Sequence, residues 1–179
     1  MNSFEDLLGL IGSRVDEIES GRGLPADLVA RLKSEGWFRS LIPTQFGGLE
    51  TPFREHIKQI QKIAEVDAST AWCINQSAVI GTTSLWLGEA QIREIWAEQD
   101  TSVSNGPPFE CAIAKEKSGY VLNGSWGFSS GCQHATWMCA AARLTDKSGW
   151  RLSFFKPEDV EFIDNWRVAG LRGTGSFEF

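Results

Sequence analysis

The chain has 179 residues, a net charge of −6 and 42% apolar residues, enough to bury a core in one large domain or two small ones. The negative balance argues against a sequence-blind grip on nucleic acid, which needs a basic face. No run is long and apolar enough to span a membrane, and the acidic, amphipathic start lacks the basic and apolar blocks of a secretory signal, so a cytoplasmic protein is expected.

The first half reads as helices. Ser3 stands where an N-cap would, with Asp6 at the capping-box position. Phe4, Leu7, Leu8, Ile11, Val15 and Ile18 follow at helical spacing, and Gly21 and Gly23 stop the run. Pro25 opens a second helix at its first position, and Gly36 ends it. TQFGGLETP is a loop. Thr51 and Pro52 start a third helix that turns Phe53, Ile57, Ile60 and Ile63 inward. The pattern breaks over Asp67 to Ser69, and a fourth helix runs through Trp72 and Val79 towards Trp86. GEAQIREIWAEQ is a short amphipathic helix with Ile92, Ile95 and Trp96 inward.

The character changes near Thr101. SNGPP cannot be helix interior, and the runs CAIAKEK, YVLNGSWGF, ATWMCAAARL, WRLSFF and VEFIDNW read as strands. Ser118-Gly119 and Lys147-Ser148-Gly149 read as hairpin turns. Helices followed by strands predict an α+β chain: an all-helical region over residues 1–100, then an antiparallel β-barrel or sandwich region over 101–179.

Four cysteines (Cys73, Cys111, Cys132 and Cys139) form no C-x-x-C pair and are expected reduced and mostly buried. The two histidines, His56 and His134, lie far apart, so no metal site is expected. GLRGTGS has neither G-x-G-x-x-G spacing nor a following Lys-Ser/Thr, and reads as a glycine-rich strand turn. Ser129 or Ser130 as a nucleophile would need a base and an orienting group; neither is visible, and a hydrolase is set aside. SVSNGPP and SWGFSSG each offer hydroxyls and backbone donors beside aromatic residues, as the polar edge and flat face of an isoalloxazine ring require. Spacing alone favours two exposed turns over such a site.

The order of LPADLVARLKSEGWFRSLIPTQFGG, DASTAWC, NGSWGFSSGCQHATW and WRVAGLRGTGS resembles the acyl-CoA dehydrogenase superfamily, and within it the oxygenase components of two-component, flavin-dependent aromatic hydroxylases. The similarity runs from about Leu24 to Ser176. It implies monooxygenation of a small, aromatic substrate through a flavin C4a-hydroperoxide, with reduced FMN, or FADH2, delivered by a separate NAD(P)H-dependent flavin reductase. It implies O2 as co-substrate and a homotetramer. Ser130 would stand by flavin N5 as the catalytic contact, and Phe128 against the ring. Ser129 and the segment Ser104, Asn105, Gly106 and Pro107 would serve its polar edge. Ser104, Trp72 and Ile80 would border the substrate. Several hydroxylases of the group carry a histidine where Ile80 stands, which leaves the substrate open.

The resemblance also implies a C-terminal helical domain beyond Phe179, so the chain is expected to be a fragment. Its SFEF end would then form an unprotected apolar edge, and flavin would be held weakly. The rival readings are an FAD-containing acyl-CoA dehydrogenase, whose carboxylate base would lie beyond Phe179, and a non-catalytic remnant. The F-S-S-G-C run favours the hydroxylase.

Overall fold

A computed structural model describes residues 3–116 and 118–179; Lys117, the last residue of the expected strand CAIAKEK, lies outside them. Helix α1 (Phe4–Gly21) starts on a complete capping box: the Asp6 amide donates to Ser3 Oγ at 3.1 Å, and the Ser3 amide to the Asp6 carboxylate at 2.7 Å. The reversal after α1 falls on Arg22, at φ 56°, rather than on a glycine. Pro25 caps α2 (Ala26–Ser34) from outside its first turn, and Gly36 turns left-handed after it, at φ 79°. Then come α3 (Phe53–Val66), α4 (Ala68–Gly81), a 3-10 stretch to Trp86, and α5 (Glu89–Trp96). The Asp67 carboxylate starts α4 by accepting the Thr70 amide at 2.6 Å.

Leu7, Ile11 and Ile18 of α1 meet Leu28 and Leu32 of α2, Ile63 of α3 and Ile74 of α4 in one core. The inward face of α3 is only partly the expected one: Ile63 is buried in this core and Ile60 packs against it. Phe53 and Ile57 are 64% and 38% exposed, whereas His56 is fully buried. Apolar spacing misplaced the face because His56 has partners: its Nδ1 lies 3.0 Å from Ser40 Oγ and its Nε2 3.2 Å from Asn75 Oδ1. A buried polar ring is tolerated when both nitrogens are satisfied.

The strands are β1 (Val103–Gly106), β2 (Pro108–Glu116), β3 (Gly119–Trp126), β4 (Trp137–Arg143) and β5 (Trp150–Phe155). β2 and β3 form a hairpin; the other sheet has the order β1-β4-β5. β4 and β5 are antiparallel, but β1 runs parallel to β4, so the region is mixed rather than wholly antiparallel. SVSNGPP, expected as a turn, supplies β1. VEFIDNW, expected as a strand, makes only the single bridge Ile163–Glu178.

SFEF is not an open edge. Phe179 and Trp126 exchange backbone hydrogen bonds at 2.8 and 3.0 Å, and the Ser129 amide donates to the Phe177 carbonyl at 2.9 Å. The Phe179 ring stacks on Trp126, centroids 5.3 Å apart, inside the second core.

Both histidines are held neutral. Burial, with Lys33 adding to it, pushes His134 down to about 3, its ring against Phe38. Burial lowers His56 as well, partly opposed by the hydrogen bond that its ring donates to Asn75. In the unfolded chain histidine titrates near 6.5. Below that pH the unfolded state takes up protons that the folded state refuses, so stability falls as pH drops, for His134 down to about 3. Urea unfolding should show stability falling between pH 7 and 5 by up to about 1.4 kcal/mol per pH unit per histidine, a window above ordinary carboxylate titration. Stability unchanged across that window would refute the neutral, buried state.

Candidate functional site

The stretch after β3 abandons strand geometry. Phe128 stands at φ 56°, unusual for a side chain of this size, and costs about 1–2 kcal/mol. The turn leaves the Phe128 ring 53% exposed while Ser129 and Ser130 go inside. Phe109 and Trp166 meet that ring edge-on, at 6.0 and 5.9 Å. Gly106 lets β1 close on this stretch backbone to backbone: a Cβ there would lie 2.0 Å from the Gly127 carbonyl oxygen.

Together these elements border a half-open cavity of about 290 Å³. α4 contributes Trp72 and Gln76; Pro107, Phe128 and Ser130 come from the two expected segments; Trp166, Leu171, Thr174 and Ser176 come from the C-terminal stretch. The wall is aromatic and the floor is a line of hydroxyls. The Trp72 indole N–H donates to Ser130 Oγ at 2.9 Å. Ser130 Oγ lies 2.7 Å from Ser176 Oγ, which lies 2.6 Å from Thr174 Oγ1. Thr174 donates to the Leu171 carbonyl at 2.8 Å, and the Trp166 indole N–H reaches the same carbonyl at 3.0 Å.

The residues expected from the sequence divide into three groups. Trp72, Pro107, Phe128 and Ser130 line the cavity. Ser104 and Ser129 are fully buried behind it, their hydroxyls 2.9 Å apart, with Ser104 also donating to the Ser130 carbonyl at 2.9 Å. Asn105 and Gly106, the next residues of β1, do not line the cavity; Asn105 Nδ2 is buried without a partner among the described residues. Ile80, two turns beyond Trp72 on α4, packs instead beside Ile42, Ile92 and Trp96. Gln76, Trp166, Leu171, Thr174 and Ser176 had not been singled out. Leu171, Thr174 and Ser176 had one signal, GLRGTGS, which reads as a turn; Gln76 and Trp166 lie outside it. A larger open depression of about 690 Å³ lies between the β2–β3 hairpin and residues 153–163, and none of the expected site residues lines it.

The cysteines do not act on this cavity as nucleophiles. Burial pushes Cys132 up to about 11 and Cys139 up to about 12, and pushes Cys73 higher still. They stay thiols. Cys132 Sγ reaches the Gly175 carbonyl at 3.3 Å and Cys73 Sγ the Thr174 carbonyl at 3.9 Å, which fastens the segment behind the floor.

A family model described as "Acyl-CoA dehydrogenase, N-terminal domain" matches residues 10–102. The chain belongs to the acyl-CoA dehydrogenase family. It is 34% identical over 185 residues to the flavin-dependent monooxygenase, oxygenase subunit HsaA, of Rhodococcus jostii (strain RHA1), covering 98% of this chain and 47% of that protein. The FADH(2)-dependent resorcinol hydroxylase, oxygenase component, of Rhizobium sp. (strain MTP-10005) is 32% identical over 174 residues, covering 93% and 42%. Crystalline 3-HSA hydroxylase from Rhodococcus sp. RHA1 superposes with a TM-score of 0.89 at 30% identity, over 97% of this chain and 46% of that one. The chain thus spans about half the length of the curated relatives it matches.

The residues present fit the ring system of a flavin. The cavity is near the lower limit of ligand pockets, about 300–1,000 Å³, which suits a flat tricycle rather than a whole nucleotide. Phe128 and Trp72, 53% and 45% exposed, offer flat apolar faces. Ser130 offers a polar contact inside. No charged side chain lines the cavity among the described residues.

Ser104 joins the two layers of this floor. Ser104→Ala should strand the Ser129 hydroxyl and the Ser130 carbonyl, costing about 1–3 kcal/mol, read as a lower urea midpoint with an unchanged slope. A midpoint within error of wild type would show that this bond contributes nothing.

Proposed function

We propose that this chain is the flavin-binding half of an oxygenase component, which uses reduced flavin and O2 to hydroxylate a small aromatic substrate. The observation that carries it is the cavity itself: an aromatic wall of Trp72, Phe128 and Trp166 over a hydroxyl floor headed by Ser130. The names of its relatives support this chemistry, one being an FADH(2)-dependent hydroxylase and another a flavin-dependent monooxygenase. Reduced flavin supplies the electrons that activate dioxygen, one oxygen atom going to substrate and the other to water.

The chain's own residues bind and orient. Phe128 and Trp166 flank the ring and keep water off one face; Trp72 closes the α4 side. Ser130 accepts a hydrogen bond from N5 and helps to keep the proton there. Ile80, apolar and away from the cavity, does not activate a phenol, so substrate activation falls to groups other than Ile80.

Relatives named as an oxygenase subunit and an oxygenase component support delivery of reduced flavin by a separate NAD(P)H-dependent reductase. A homotetramer in the cytoplasm completes the proposal. Among the described residues no helix is long and apolar enough to cross a membrane.

Anaerobic titration of the chain with reduced FMN and reduced FAD, followed by tryptophan fluorescence, tests this reading. Saturable binding of at least one is expected, and binding of neither overturns it. Ser130→Ala should weaken reduced-flavin binding by about 0.5–1.5 kcal/mol, the loss of one neutral hydrogen bond. Undiminished affinity in that variant would remove Ser130 from the site. NADH oxidised by the purified chain with added flavin, and no reductase, would contradict the two-component arrangement.

A further inference from the structure

The hydroxyl floor has a direction, and its far end sets it. The Leu171 carbonyl can only accept, so the 2.8 Å contact spends the single proton of the Thr174 hydroxyl. Ser176 must then donate across the 2.6 Å contact to Thr174, and Ser130 across the 2.7 Å contact to Ser176. The Trp72 N–H, which can only donate, feeds the near end at Ser130. Reversal would leave the Ser130 proton only the Phe128 carbonyl at 3.5 Å, too long for a good hydrogen bond, and would withdraw the Thr174 proton from Leu171. One polarity satisfies every hydroxyl in the row; the other strands one.

We propose that Thr174 and Ser176 are positioning residues that hold Ser130 as an acceptor, so that the cavity favours a ligand presenting an N–H or O–H to Ser130 over one presenting a lone pair. This rests on the flavin reading above, where it has a definite consequence. Reduced flavin carries a hydrogen at N5; oxidised flavin carries a lone pair there. The oxidised form must forgo the bond or draw the Ser130 proton away from Ser176, breaking the Ser130–Ser176 bond of the row. One neutral hydrogen bond corresponds to a discrimination of a few-fold to about tenfold. The selection acts through two residues that need not touch N5 themselves.

The test is the ratio of dissociation constants for oxidised and reduced FMN, measured anaerobically on the chain by tryptophan fluorescence. The wild type should bind reduced FMN a few-fold to about tenfold tighter through this contact. Thr174→Val removes both the donor to Leu171 and the acceptor for Ser176; Ser176→Ala removes the acceptor for Ser130. Ser176→Ala frees the Ser130 proton directly, and Thr174→Val lets Ser176 donate to Ser130 instead; each should shrink the ratio several-fold, whereas Thr174→Ser should preserve it. Loss of packing weakens both forms alike and leaves the ratio where it was, and either variant suffices if the other fails to fold. A wild-type ratio near one, or a ratio unmoved in the variants, overturns the inference and leaves the flavin reading standing. Binding of neither form by the wild type overturns the flavin reading itself, and this inference with it.

Discussion

The cavity depends on a missing side chain. At Gly173 a Cβ would lie 2.1 Å from Ile18 Cγ2 and 3.0 Å from Ser69 Cβ. Only glycine lets residues 171–176 lie flat on α1 and α4. From that seat the Thr174 carbonyl accepts the Gly131 amide at 2.8 Å, and the Cys73 and Cys132 thiols reach the neighbouring carbonyls. Ser176 is thereby set beside Ser130, and Ser130 beside Trp72. A helix near each end of the first half and two distant parts of the second are joined at one backbone-to-side-chain contact. Close packing of this kind transmits position, because well-filled interiors deform little.

The aromatic side is fixed by charge rather than by packing. Arg22, in its left-handed position after α1, holds the Asp164 carboxylate with two nitrogens, at 2.6 and 2.7 Å, and reaches the Trp166 carbonyl at 3.2 Å. Arg167 takes the same carboxylate. Exposed ion pairs contribute little to stability, about 0–1 kcal/mol, but a two-pronged contact fixes direction. Here it fixes the turn that presents Trp166 edge-on to Phe128. The floor is built from committed hydrogen bonds and the wall from rings held at their stems.

Much of the helical half was legible, because its signals are local. The Ser3–Asp6 box, the apolar row of α1 and the glycine after α2 each act within a few residues. α3 misled for the opposite reason: the burial of His56 is decided by Ser40 and Asn75, on either side in sequence, and no spacing rule sees them. β1 is four residues long, buried and rich in serine and glycine, so it carries no alternation to read. Its parallel partner lies more than thirty residues away. Among the residues that line the cavity, Phe128 and Ser130 were singled out through resemblance. Thr174, Ser176 and Trp166 were not, because their roles arise only when the 164–176 stretch folds back.

Serine-rich stretches in this chain answer two different needs. Ser77 Oγ donates to the Phe38 carbonyl at 3.1 Å and accepts the Val103 amide at 2.9 Å, bridging the helices to β1. Ser102 Oγ donates to the His134 carbonyl at 2.9 Å, and Ser104 to that of Ser130. These serines satisfy backbone groups where an irregular chain meets a sheet edge, a need as strict as packing since an unpaired buried group costs about 1–3 kcal/mol. Ser129, tied to Ser104, belongs with them. Ser130 differs: its backbone carbonyl is already served, and its hydroxyl heads a row whose other members also face the cavity. Serine content alone therefore could not separate a binding surface from a well-satisfied seam. What separates them is whether the hydroxyl, once its own proton is placed, still has a lone pair turned towards open space.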